Sequence, residues 1–255
     1  MLLEGRTALV TGSGRNIGRA TALAFAREGA NVVINARSSQ AEVDEVVREA
    51  QSIGVGAIGI LADIGNPQQV QQMADKALEA FGGVDILVNN AAIRPGRPFI
   101  DLDYEEWRRV IGVDLDGAFH CTKAVLQKMM DQRWGRIINI AGMMAFEGHA
   151  GYSHISASKM GLVGLTRSLA VELADHNILV NCISPGTINT VNPNANTDRP
   201  TEEQVEVVAR RVARVPLGRL ASSDEIAALC VFLASPGGGY ISGQTIHVNG
   251  AADRR

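Results

Sequence analysis

Thr11-Gly12-Ser13-Gly14-Arg15-Asn16-Ile17-Gly18 closes the apolar run Thr7 to Thr11 and leads into Arg19 to Glu28, where apolar residues recur three and four apart. A glycine-rich turn between a strand and a helix lets backbone N–H groups and the helix N-terminus approach a phosphate. Glycines alone serve any tight turn, so the surrounding pattern has to decide. That pattern repeats along the chain: short apolar runs bounded by Gly, Asn or Asp alternate with longer stretches of helical period, as in βαβ units built around a parallel sheet. Strands are predicted at Thr7 to Thr11, Asn31 to Asn35, Ala57 to Leu61, Ile86 to Asn89, Arg136 to Ile140, Leu179 to Ile183 and Thr245 to Val248. Helices are predicted at Arg19 to Glu28, Glu42 to Ser52, Val70 to Phe81, Glu105 to Met130, Ser156 to Ala174 and Asp224 to Ala234. The expected class is α/β, a doubly wound fold on a seven-stranded parallel sheet.

With 255 residues, 46% of them hydrophobic, the chain can bury a large core, and no repeat or linker divides it. One domain over residues 1–255 is expected. Asn189 to Gln204 is polar, Asn-rich and interrupted by Pro193 and Pro200, which marks a substrate loop within 187–216. A net charge of -3 without a basic, aromatic-interleaved patch argues against nucleic acid as a partner. Met1-Leu2-Leu3-Glu4-Gly5-Arg6 lacks the pattern of a signal peptide and no apolar run approaches the length of a membrane span, so a cytoplasmic protein with no membrane partner is expected. Cys121, Cys182 and Cys230 are widely spaced and odd in number, which supports neither a disulfide framework nor a metal site.

Further landmarks follow the strands: Asp63-Ile64 after the third, Asn89-Asn90-Ala91-Ala92 after the fourth, and Pro185-Gly186-Thr187-Ile188-Asn189-Thr190 after the sixth. Pro216-Leu217-Gly218-Arg219 and Gly243-Gln244-Thr245 complete the series. Together with the opening turn they resemble the short-chain dehydrogenase/reductase family over nearly the whole chain. The resemblance implies a Rossmann fold, a nicotinamide cofactor, a small-molecule substrate and a homotetramer built partly from the Glu105 to Met130 and Ser156 to Ala174 helices. It also implies that Gly12, Ser13, Arg15, Asn16, Ile17 and Gly18 hold the pyrophosphate. Asp63 and Ile64 are implied to contact adenine, Asn90 and Ala91 the ribose side, and Ile188 and Thr190 the nicotinamide carboxamide; Ala92, near the nicotinamide, Pro185 and Gly186 complete the implied cofactor set. Asn16 and Ala92 stand where the family carries glycine; asparagine is the non-glycine residue that best tolerates a left-handed backbone.

Ala36 occupies the position at which NAD-binding relatives carry an acid for the ribose 2′-OH. Arg37, with Arg15, Ser38 and Ser39, offers charge-assisted contacts to a 2′-phosphate instead, so NADP is expected over NAD. The alternative is that both arginines are solvated surface residues.

The family's catalytic set is damaged. Ile155 stands at the proton-donating tyrosine, four residues before Lys159; Gly142 stands at the serine and Asp114 at the asparagine. Lys159 alone keeps its residue type and is implied to bond the nicotinamide ribose. Tyr152 lies seven residues before Lys159, on the same face if the helix extends that far, and this spacing resembles enoyl-acyl-carrier-protein reductases. A packing residue at a helix start is the competing reading. His154 is a second candidate for proton relay, off the lysine face, and His149 a third in a glycine-bounded loop. Asp114 pairs with Lys159 or carries a raised pKa. Ile93, Met143, Met144 and Phe146 are candidates for an apolar wall, and Arg94 and Arg97 for contact with an anionic substrate group.

The sequence thus points to an NADP-dependent oxidoreductase with a rearranged proton-transfer site, acting on a carbonyl or an activated C=C bond. A non-redox lyase or isomerase on the same scaffold and a catalytically silent NADP-binding subunit remain as alternatives.

Overall fold

Seven parallel strands form one sheet in the order β3-β2-β1-β4-β5-β6-β7. The structure, a computed structural model, describes residues 1–189 and 202–253. In chain order the elements are β1 (Thr7–Val10), α1 (Asn16–Arg27), β2 (Asn31–Ala36), α2 (Gln40–Ile53), β3 (Ala57–Leu61), α3 (Pro67–Phe81) and β4 (Ile86–Asn89). The second half runs α4 (Tyr104–Ile111), a π-helical turn (Gly112–Asp116), α5 (Gly117–Asp131), β5 (Gly135–Ile140), α6 (Met144–Glu147), α7 (Ser153–Glu172), β6 (Ile178–Pro185), α8 (Glu202–Val212), α9 (Ser223–Ala234) and β7 (Thr245–Val248).

The strands are apolar because helices cover both faces of the sheet. On one face Leu23, Phe25, Val43, Val46, Ile226 and Leu233 from α1, α2 and α9 pack against Val10, Val32, Ile34 and Val88. On the other, Val70, Met73, Cys121, Val125 and Met129 from α3 and α5 pack against Leu9, Val33, Leu87 and Ile137. Local chemistry sets the helix starts. Asn66 accepts hydrogen bonds from the N–H groups of Gln68 and Gln69 ahead of Pro67, and Ser222 and Glu225 close a capping box on α9.

Two parts depart from the sequence expectations. The predicted Glu105 to Met130 helix is broken at Gly112–Asp116 by the wider turn of a π-helix, which shifts the face presented by Asp114. The region expected as an irregular substrate loop contains α8, whose apolar positions recur at helical spacing; residues 190–201, including Pro193 and Pro200, lie outside the described residues. Among the described residues no helix is long and apolar enough to cross a membrane.

Candidate active site

The strand order reverses between β1 and β4, and in open α/β sheets ligands bind beyond the strand ends at such a point. A cleft of about 940 Å³ opens there. Its floor is the turn after β1, where Asn16 adopts a left-handed backbone (φ 50°), as its residue type allows. Gly18 is required by close approach: a Cβ there would lie 2.3 Å from the Gly12 carbonyl oxygen. The turn is braced from both neighbouring strands. The Asn90 amide donates to the carbonyls of Thr11 (2.8 Å) and Gly12 (3.1 Å), and the Asn35 side chain accepts from the Gly12 N–H (3.2 Å).

Most of the expected cofactor residues meet in this cleft: Gly12, Arg15, Asn16, Ile17, Gly18, Arg37, Ser38, Asp63, Ile64, Asn90, Ala91, Ala92, Lys159, Pro185, Gly186 and Ile188. Ser13 does not line it. Its hydroxyl is buried, donating to the Val10 carbonyl at 2.7 Å and accepting from the Asn35 N–H at 2.9 Å. Thr190 lies outside the described residues. The cleft suits a dinucleotide phosphate: the first turn of α1 carries no acidic residue, Arg15 makes no side-chain cap, and the helix N-terminus faces the cavity. At the far end Glu42 also lines the cleft, 3.6 Å from Arg15, so part of the positive charge beside Arg37 is already shared. Sequence reading passed over Glu42, since an acid in the first turn of a helix is ordinary.

Lys159 and Asp114 form a buried ion pair, Nζ to Oδ2 3.4 Å. Lys159 also donates to the Ile140 carbonyl (3.1 Å), and Asp114 Oδ1 accepts from the Ile93 N–H (2.9 Å). Burial pushes the lysine below its ordinary pKa; the Asp114 carboxylate pulls it back up, and the Arg94 charge adds to the depression. Losing one partner of such a pair leaves the other charge buried alone, at a cost of about 3–5 kcal/mol. Pairing is therefore the role in which the structure places Asp114, behind Lys159 and away from the cavity surface.

Of the other proton-relay candidates His149 lines the cleft, whereas Tyr152 and His154 do not. Helix α7 begins at Ser153, so Tyr152 precedes it as the N-cap with φ -129° and ψ 26°, and the two-turn spacing to Lys159 does not apply. The Tyr152 hydroxyl instead lies against Gly96, where a Cβ would sit 3.0 Å from it. His154 is fully buried with Nε2 3.1 Å from the Pro95 carbonyl oxygen. Both therefore hold the chain after β4. Ile155 is 1% exposed and contributes to the cleft wall, together with Ile93, Met143 and Met144. Phe146 packs on His247, ring centroids 4.6 Å apart, and is not part of that wall.

Of the expected anion-binding arginines, Arg94 lines the cleft, whereas Arg97 is paired with Glu106 at 3.0 Å. Arg211, Arg214, Glu147 and His149 line it as well. The first two belong to the region read as a loop, and Glu147 follows an apolar run that masked it. Asn89 belongs to a buried network, donating to Asn139 (2.9 Å), which in turn donates to Thr166 (2.9 Å).

Comparison with known proteins finds relatives over nearly the whole chain. The sequence family described as enoyl-(acyl carrier protein) reductase matches residues 12–251. The 3-oxoacyl-[acyl-carrier-protein] reductase FabG of Aquifex aeolicus (strain VF5) is 38% identical over 248 residues, covering 97% of each chain. Its namesake from Thermotoga maritima is 36% identical over 252 residues, covering 98% of each. A crystal structure from Sinorhizobium meliloti 1021, assigned to the short-chain alcohol dehydrogenases, matches with a TM-score of 0.90 at 34% identity, covering 98% of this chain and 97% of that one.

Proposed function

This chain belongs to the short-chain dehydrogenase/reductase family and is an oxidoreductase, and from that premise we propose that it uses NADP to reduce a carbonyl through a rearranged proton-transfer site. The observation that carries the reading is the continuity of the cleft, which runs from Arg37 and Ser38 past the α1 N-terminus to Lys159 and an apolar wall. The bound cofactor supplies hydride chemistry at that inner end. The chain's own residues do the rest. Arg15, Arg37 and Ser38 hold the 2′-phosphate, the glycine turn holds the pyrophosphate, and Lys159, steadied by Asp114, bonds the ribose. Ile93, Met143, Met144 and Ile155 keep the reacting carbon in an apolar setting.

A carbonyl is favoured over a C=C bond because the enoyl reading depended on Tyr152, whose hydroxyl lies against Gly96 and outside the cleft. The relatives named above are, by name, 3-oxoacyl-[acyl-carrier-protein] reductases, which supports the same choice. The proposal further includes a single domain, a substrate loop at 187–216, a homotetrameric assembly and a cytoplasmic location.

Fluorescence titration tests the cofactor. NADPH is expected to bind more tightly than NADH, and Arg37→Ala to weaken NADPH by about tenfold or more, the scale of one charge-assisted hydrogen bond. Equal affinities in the parent protein would remove NADP from the proposal. Oxidation of NADPH on addition of acetoacetyl-CoA tests the reaction; binding without turnover of any carbonyl would return the protein to the silent-subunit alternative.

A further inference from the structure

Carbonyl reduction must end with a proton on the substrate oxygen, and the positions that handle this proton in the resembled catalytic set hold Gly142 and Ile155. Three of the replacements suggested by sequence lie elsewhere: Tyr152 against Gly96, His154 buried against the Pro95 carbonyl, and Asp114 bound to Lys159; the other, His149, lines the cleft. Among the described residues lining the cleft, the side chains of carboxylate or imidazole type are Glu42, Asp63, Glu147 and His149. Glu42 is engaged with Arg15, and Asp63 accepts from the Gly65 N–H at 2.9 Å, both on the side away from Lys159. Glu147 and His149 sit on the turn that joins β5 to α7, which also supplies Met143 and Met144 to the apolar wall.

These two side chains form a pair. Glu147 ends α6, the chain turns at Gly148, and His149 comes back so that Nε2 lies 3.5 Å from Glu147 Oε2. With Nε2 turned to the carboxylate, Nδ1 is the nitrogen left to meet a substrate. The His149 side chain is 37% exposed, so the ring can exchange protons with water while lining the cavity.

We propose that His149, oriented by Glu147, is the acid that protonates the substrate oxygen; the inference rests on the carbonyl-reductase reading above. The carbonyl carbon accepts a hydride from the reduced nicotinamide, which is thereby oxidised, and the C=O π electrons pass to oxygen. That oxygen takes the Nδ1 proton of the His149 imidazolium, giving the alcohol. The neutral ring regains a proton from solvent. His149 is a catalytic residue in this scheme and Glu147 a positioning residue. The other charged side chains lining this cavity are Arg94 after β4, Lys159 on α7 with Asp114 behind it, and Arg211 and Arg214 at and beyond the end of α8. Glu147 is the one carboxylate among the described residues that faces the ring from its own turn.

With NADPH and acetoacetyl-CoA, His149→Gln is expected to lower kcat by roughly 10² to 10⁴ fold, the scale of a positioned general acid, with KM and NADPH affinity little changed. Glu147→Gln should lower kcat less and also leave KM in place. Undiminished kcat in His149→Gln would overturn the inference while leaving the reductase reading intact. If the parent reduces no carbonyl, that reading fails and the inference falls with it. The imidazole NMR signal of His149, assigned by its loss in His149→Gln, gives a readout independent of turnover. A signal that shifts when acetoacetyl-CoA is added to the parent protein supports contact with the substrate; an unmoved signal overturns it.

Discussion

Ile155 and Gly142 differ in how reversible their departures are. Ile155 forms cleft wall on a regular helix, and a phenol placed there has the cavity to enter. Gly142 has φ 155°, a backbone that residues with a side chain rarely adopt, although a Cβ there would meet nothing within 4 Å. The serine is therefore absent together with the backbone that would carry it. Ile155→Tyr alone is expected to raise ketone reduction and retain the fold. Adding Gly142→Ser should cost about 1–3 kcal/mol of stability through backbone strain. Urea unfolding alongside NADPH oxidation checks both halves, and a double variant as stable as the parent would contradict the strain argument. Substitution of the tyrosine and serine was plain in the sequence. The helix predicted from Ser156 left open whether it extends back to Tyr152, because the first residue of α7 depends on how the Gly148 to Gly151 turn packs against Arg97.

Among the elements, the β1 turn and the α4 to α5 helix show opposite degrees of legibility. Glycine spacing before a helical period identified the turn, and the family resemblance nearly all of its cleft-lining residues. Gly18→Ala is expected to abolish tight NADPH binding and destabilise the fold, because the new methyl would sit 2.3 Å from the Gly12 carbonyl oxygen and 2.7 Å from the Asn90 amide. Calorimetric titration with NADPH and thermal unfolding read the two effects, and normal binding by this variant would show that the turn can relax. The π-turn was invisible, since one extra residue in a helical turn leaves the apolar pattern almost unchanged. It nonetheless places the buried Asp114 against Lys159. Helix α8 was missed for another reason: the polar, Pro-containing segment before it dominated the local reading.

For the whole molecule, the cleft runs past the ends of β1 to β6, so a dinucleotide bound along it would link both halves of the sheet. A ligand that binds only the folded chain stabilises it by about 2.7 kcal/mol at one hundred times its Kd. For a chain of this size NADPH at that excess should raise Tm by roughly 5–10 °C. A scanning measurement with no shift would contradict the dinucleotide site. The sequence by itself determined the seven-stranded parallel sheet, the glycine turn and the isoleucine at the position where the resemblance implies a proton-donating tyrosine, because period, turn chemistry and residue type are local properties. Tertiary structure alone decided which titratable groups reach the cleft: it set Tyr152 against Gly96, buried His154 and Asp114, and brought Glu147 to His149. Those outcomes depend on packing between segments distant in the chain, and a side chain's direction at a helix start or loop is settled only by what it packs against.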